Sequence, residues 1–242
     1  MVRKKTVRRA EPDSNSTRGL EPWEGEFAQD LPDVPVLPET LLRLDLGVQE
    51  SCVDLREMSQ VVLSDLGATV QILRLSGLEL NDPETRSNRI EDCICDLGVA
   101  ACLEAIAAGT VARDYRYDGV QETWAHSREI AHYSKLVAED MPDVNPDEAY
   151  LVGLLHTIGL LPQALGWYGS HGKPVDAALA GLQMARQWSL PQVAVEYFRE
   201  VNLDQHTSPW PEIVHRAHRL ASRSSILCPL ERGVRPLLYR AV

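Results

Sequence analysis

The segment NPDEAYLVGLLHTIG (145–159) constrains the fold more than any other part of the chain. Asn145 is a typical helix N-cap, Pro146 suits the first helical turn, and Glu148 lies three residues after the cap. The residues that follow are apolar almost all round the helix, so this helix must be buried on most sides. The rest of the chain must therefore provide the apolar surfaces that cover this helix.

Apolar residues at intervals of three and four predict the other helices. They are expected to start near 37, at 54, at 65 and at 90, with a break at Gly98 before the next one. A further helix should start near Thr123 or Trp124, and three more should start at Pro174, Pro191 and Pro211. No stretch alternates as a strand does, and aromatic residues make up only 6% of the chain. The sequence therefore predicts an all-α fold.

Charge and composition limit the compartment and the partners. Residues 1–30 are polar with few apolar anchors, which predicts a disordered basic and polar tail. The net charge of the chain is −11, so nucleic-acid binding is not expected except through that tail. No segment has the apolar length of a membrane span or of a signal peptide. The five cysteines are odd in number and fit reduced core thiols, so the chain is predicted to be cytoplasmic.

Several segments in order resemble the HDOD domain, the HD-related output domain of bacterial signalling proteins. They are VPVLPET, SQVVLSD followed by ILRLSG, RIEDCICDLGVAACLEAI, WAHSREIAHYSKLVAED, DEAYLVGLLHTIG and EIVHRAHRLAS. The resemblance covers residues 31–222 and implies a single domain with two helical lobes. The N-terminal lobe would span about 31–112, and an HD-phosphohydrolase-like lobe would span about 120–222. Residues 223–242 would be a C-terminal extension.

The resemblance also selects a group of site residues. An HD enzyme holds a divalent metal with an early histidine, a His-Asp pair and a later aspartate, and the metal lowers the pKa of its bound water. Here His126 matches the early histidine and His156 matches the histidine of the pair. Thr157 stands at the aspartate of the pair, and His218 stands at the last aspartate.

The missing carboxylates predict a degenerate site. A neutral hydroxyl is a poor ligand for a buried dication. We therefore expect no catalytic residue, no metal and no cofactor, and we expect Thr157 to hydrogen-bond a backbone carbonyl one turn back. A three-imidazole zinc site formed by His126, His156 and His218 stays open as an alternative. The pocket could also keep a small ligand.

The sequence leaves several functions open. The leading hypothesis is a non-catalytic signalling module that binds a protein partner. The alternatives are a divergent metal-dependent phosphohydrolase acting on a nucleotide or phosphoester, and a nucleotide-binding regulator without hydrolysis. Five aromatic residues are candidates for an interface, although most are expected in the core or as loop anchors: Trp23, Trp167, Tyr168, Trp188 and Trp210. The segment GWYGSHG (166–172) is the best surface candidate among these, and residues 223–242 could dock on the domain or form a homo-oligomer contact.

Overall fold

The computed structural model describes the fold of residues 33–49, 53–79, 87–109, 119–165, 176–204 and 207–221. These residues all belong to one compact unit that begins at Pro32. The helices are α1 (Pro38–Gln49), α2 (Leu55–Leu63), α3 (Leu66–Glu79), α4 (Ile90–Leu97), α5 (Val99–Ala108), α6 (Gly119–Glu139), α7 (Pro146–Leu155), α8 (Leu161–Ala164), α9 (Ala177–Gln187), α10 (Gln192–Leu203) and α11 (Trp210–Ala221). A 3-10 turn, Ile158–Leu160, lies between α7 and α8. The fold is all-α, as predicted.

Three of the expected boundaries were wrong. Helix α9 begins at Ala177 rather than at Pro174. Helix α6 begins at Gly119 rather than near Thr123, so it has one more turn at its start. Helix α7 ends at Leu155, whereas the pattern predicted a helix up to Gly159. His156 is the C-cap of α7, and the chain then tightens into the 3-10 turn. Apolar residues continue through that turn, so the hydrophobic pattern carried no sign of the change.

The helices pack in two groups. Helices α1 to α5 pack mainly on one another, with α2, α3 and α5 around α4. In the second group α6 packs extensively against α7, α11 packs against both, and α9 packs on α10 and on the 3-10 turn. This grouping matches the two lobes of the predicted fold. The predicted tail (1–30) and extension (223–242) lie outside the described residues, and the proposed domain boundaries stay a prediction.

A buried carboxylate joins the two groups of helices. Asp65 has no exposed surface, and its Oδ1 accepts hydrogen bonds from the backbone N–H of Gly67 and Ala68, as a helix N-cap does. Its Oδ2 accepts from the N–H of Leu37, 2.8 Å away, just before α1. The indole Nε1 of Trp124 on α6 donates to Oδ1 over 2.9 Å. Burial outweighs these hydrogen bonds and raises the pKa of Asp65.

Two further, weaker hydrogen bonds also connect the two groups of helices. The Tyr150 hydroxyl on α7 donates to the Leu63 carbonyl at the end of α2 over 3.1 Å. The side-chain amide of Asn88 donates to Glu148 over 2.9 Å. Both bonds bring α7 against the first group of helices. The position of the α6–α7 pair is thus fixed relative to α2 and α3 by polar contacts as well as by apolar packing.

The cysteines divide between the core and the surface. Cys93 and Cys102 are buried and Cys95 is exposed, and all three are free thiols. Core packing was the expectation for these cysteines, and it is wrong for Cys95. Burial, together with the nearby Cys93, raises the pKa of Cys102 to about 11, so this thiol stays protonated at neutral pH. Cys52 and Cys228 lie outside the described residues.

Among the described helices, none is both long and apolar enough to cross a membrane by itself. Helices α2 and α3 together would meet the requirement of length and composition, but they meet at an angle of 116°.

Replacing Asp65 by Ala should lower the free energy of unfolding by about 3 kcal/mol or more, because the N–H groups of Leu37 and Trp124 would be left buried without an acceptor. Urea unfolding measures this loss. The control is Asp54→Ala, which removes an exposed N-cap from α2 and should cost only about 1 kcal/mol. Equal losses in the two variants would contradict the role given to Asp65.

Candidate functional site

Three buried histidines converge in the second group of helices. His126 lies on α6, His156 caps the C-terminal end of α7, and His218 lies in the last turn of α11. Their rings are in mutual contact, with centroids 5.3 Å apart for His126 and His156, 5.2 Å for His126 and His218, and 4.9 Å for His156 and His218. At most 5% of each side chain is exposed. We call these three residues the histidine cluster.

A close approach of two helices positions the first two histidines. Gly153 on α7 faces α6, and a Cβ atom at this position would lie 2.8 Å from the Ala131 Cα and 2.6 Å from the Ser134 Oγ. Real side chains do not approach so closely, so the glycine lets the two helices pack at short range. This packing brings His156, three residues further on, into ring contact with His126.

One hydrogen bond orients the imidazole of His156. Its Nδ1 lies 2.6 Å from the backbone carbonyl oxygen of Gly153. Because a carbonyl oxygen can only accept, Nδ1 carries the proton. A neutral His156 therefore has its lone pair on Nε2. The same arrangement is common in histidines that bind metals, where the second ring nitrogen donates to a carbonyl or carboxylate.

Thr157 is fully buried beside the cluster and is bonded to α6. Its hydroxyl forms a hydrogen bond with the hydroxyl of Ser127, which is also fully buried. The partner of this hydroxyl on the neighbouring helix was not predicted, and the expected bond to a backbone carbonyl one turn back stays a prediction. Sequence reasoning missed Ser127 altogether. Its only signal was its position next to His126, and that position does not reveal which side chain it meets across the helix interface.

The start of α11, and with it His218, depends on a buried glutamate. Glu200 on α10 is 1% exposed and accepts hydrogen bonds from the backbone N–H groups of Thr207 and Ser208 and from both of their hydroxyls. These residues form the turn that precedes Trp210, the first residue of α11. Burial alone would raise the pKa of Glu200, but the four hydrogen bonds outweigh it and lower the pKa below the ordinary 4.5.

The donor atoms of the cluster could face a single cation. One ring nitrogen from each histidine lies within 4.8 Å of the others. Zinc ligands at about 2.0–2.1 Å in tetrahedral geometry are roughly 3.3 Å apart, so a bound ion would have to draw the rings closer together. Among the residues that the structure describes, no carboxylate belongs to this group. The donors that the structure describes therefore lack the carboxylates that bridge the ions and offset their charge in a two-metal hydrolytic centre.

Two of the five aromatic candidates for an interface lie within the described residues, and both are buried. Trp188 and Trp210 are buried, with 3% and 6% of their surface exposed, so they belong to the core. Trp23, the segment 166–172 and the histidines at 171 and 206 lie outside the described residues. Within the described ranges, therefore, these aromatic residues do not mark an exposed interface.

Comparison with known proteins identifies relatives by domain and by fold. A sequence model of the HDOD domain matches residues 34–165. The crystal structure of the MmoQ response regulator from Methylococcus capsulatus str. Bath is similar, with a TM-score of 0.64 and 19% identity over 85% of this chain and 93% of that chain. A virulence factor from Campylobacter jejuni has a TM-score of 0.50 and 16% identity over 86% of this chain and 92% of that chain. No protein of curated function matches this sequence.

Replacing Glu200 by Gln should reduce stability at pH 7 by about 2 kcal/mol, since charged hydrogen bonds become neutral ones. Because folding lowers the pKa of Glu200, its contribution is fully present above about pH 4.5 and is lost as the pH falls through the folded-state pKa. Urea unfolding at pH 7 and at lower pH should show the wild type and Glu200→Gln becoming equally stable in acid.

The matched control for this measurement is Glu212→Gln on the exposed side of α11, which should cost a few tenths of a kcal/mol. A stability difference between wild type and Glu200→Gln that does not change with pH would contradict the assignment of the effect to the charged carboxylate.

Proposed function

The chain belongs to the HDOD family, and from this membership we propose that it is a non-catalytic regulatory module of a signalling pathway, which binds a protein partner or a small ligand. The observation that carries the proposal is the composition of the histidine cluster. By the resemblance to HD enzymes, Thr157 and His218 stand at positions where such an enzyme has carboxylates. The residues that remain can pack and hydrogen-bond, but they lack the charge that holds catalytic metal ions.

The local contacts of Thr157 support this proposal. Its hydroxyl is already paired with Ser127, so the position takes part in helix packing and is not directed at a substrate. A buried dication next to three neutral imidazoles and two hydroxyls would keep most of its charge uncompensated. The site is thus better suited to hold α6, α7 and α11 together than to activate water.

The family and its structural neighbours point the same way. The chain contains an HDOD domain, and its fold is similar to those of a response regulator and a virulence factor. These relatives favour a role in signalling, where a domain changes its contacts in response to an input. Such a module needs an interaction surface and a defined conformation, and it does not need to catalyse the turnover of a substrate.

One observation favours a second candidate, a divergent metal-dependent phosphohydrolase. The three imidazoles do converge, and Nε2 of His156 is oriented by a hydrogen bond of the kind seen in metal sites. Three histidines and one water also form a known type of catalytic zinc centre. This candidate requires a bound ion and a hydrolytic rate that depends on the cluster.

A phosphodiesterase assay separates the two candidates. Purified protein supplied with Mg²⁺, Mn²⁺ or Zn²⁺ should hydrolyse bis(p-nitrophenyl) phosphate no faster than the double variant His126→Ala/His156→Ala. The control is His215→Ala, which changes a histidine of α11 outside the cluster. Hydrolysis that persists in His215→Ala but is lost from the double variant would overturn the regulatory proposal and favour the phosphohydrolase.

A further inference from the structure

A basic cleft lies where α2 and α4 face the α6–α7 pair. Its volume is about 570 Å³, within the range of small-molecule binding sites. Four cationic side chains line it, Arg56 on α2, Arg89 before α4, and Arg128 and Lys135 on α6. Among the described residues, two carboxylates line it, those of Glu91 and Asp147. This excess of positive charge is unexpected in a chain whose net charge is −11.

The carboxylates of the cleft are already engaged with two of the cations. Asp147 lies 2.8 Å from the Lys135 ammonium and 4.0 Å from the Arg89 guanidinium. Glu91 lies 3.6 Å from Arg89. Across the ranges that the structure describes, no ion pair is formed by Arg56 or Arg128. Two guanidinium groups of the same cleft, one on α2 and one on α6, therefore have no carboxylate within ion-pair distance among the described residues.

The walls of the cleft suit a ligand that is charged at one end. Tyr150 and His132 form an edge-to-face pair with ring centroids 5.3 Å apart, and Ile90 and Leu151 add a buried apolar surface. Partial burial, followed by the charges of Arg128 and Lys135, lowers the pKa of His132. His132 is therefore mostly neutral at pH 7 and can act as a hydrogen-bonding group beside the cations.

We propose that the basic cleft binds a small molecule that carries a phosphate monoester, held by Arg56 and Arg128. A phosphate monoester carries about −1.5 to −2 charges near pH 7, which matches the charge of these two guanidinium groups. The planar fork of arginine binds phosphate oxygens by two parallel hydrogen bonds. The ring pair and the apolar wall would lie against the organic part of the ligand.

The position of the cleft suggests what such binding would do. The Tyr150–Leu63 hydrogen bond, which joins the two groups of helices, lies in its wall. A phosphate held between Arg56 of the first group and Arg128 of the second would add a further link across the same junction. This inference rests on the proposed function and deepens it, because it names the class of the small ligand and a site separate from the histidine cluster. The phosphodiesterase assay tests the proposed function independently of binding in the cleft.

Titration calorimetry with AMP, ribose 5-phosphate and adenosine at low salt tests the proposal. At least one of the two phosphate-bearing probes should bind saturably, inorganic phosphate should compete, and adenosine should bind much more weakly. The double variant Arg56→Gln/Arg128→Gln should lose about a hundredfold in affinity, since it removes two charge-assisted contacts worth about a factor of ten each. The control is Arg186→Gln, an exposed arginine of α9 outside the cleft, which should bind as the wild type does.

Two results would overturn the proposal. One is the absence of saturable binding of either phosphate probe up to millimolar concentration. The other is an equal affinity in the wild type, in Arg56→Gln/Arg128→Gln and in Arg186→Gln, which would place the binding elsewhere. Arg56 and Arg128 are both exposed, so the double variant should fold, and its thermal unfolding should be compared with that of the wild type in the same buffer.

Discussion

The buried carboxylate of Asp65 is the interaction on which the arrangement of the helices depends. It accepts hydrogen bonds from the start of α1, from the first turn of α3 and from Trp124 on α6. A carboxylate buried without hydrogen-bond partners would strongly destabilise the folded state. The three elements that supply its partners must therefore stay together. Because α6 also carries His126, the same carboxylate helps to position the histidine cluster. The cleft beside α2 is formed at this junction too.

The α6–α7 pair carries both candidate sites. His126 and His156 meet where the two helices pack closely at Gly153, and Arg128 and Tyr150 line the basic cleft. In the cluster, the Thr157 hydroxyl pairs with Ser127, and no carboxylate of the described residues joins the three imidazoles, which supports the proposal of a non-catalytic site. In the cleft, the charge without an ion-pair partner among the described residues is positive and accessible. A regulatory module with this distribution would recognise its small ligand away from the histidines.

Much of the fold could be predicted from sequence because the apolar periodicity and the caps are local signals. Asn145 and Asp54 cap their helices as expected, and the three histidines that resemblance selected do converge. The hydrogen bond from Trp124 to Asp65 joins residues that are 59 positions apart in the chain, and no local sequence pattern predicts it. Ser127 and the basic cleft were missed for the same reason. Each depends on which faces of separate helices meet, and that is decided by packing.

The metal content of the protein tests the central claim most directly. The chain should be purified without a histidine tag and without chelator, and elemental analysis should count Zn, Mn, Fe, Co, Ni and Mg per chain. A histidine cluster that serves packing and regulation predicts no stoichiometric metal. One or two ions per chain, absent from the His126→Ala/His156→Ala variant, would contradict this account and make the cluster a metal centre.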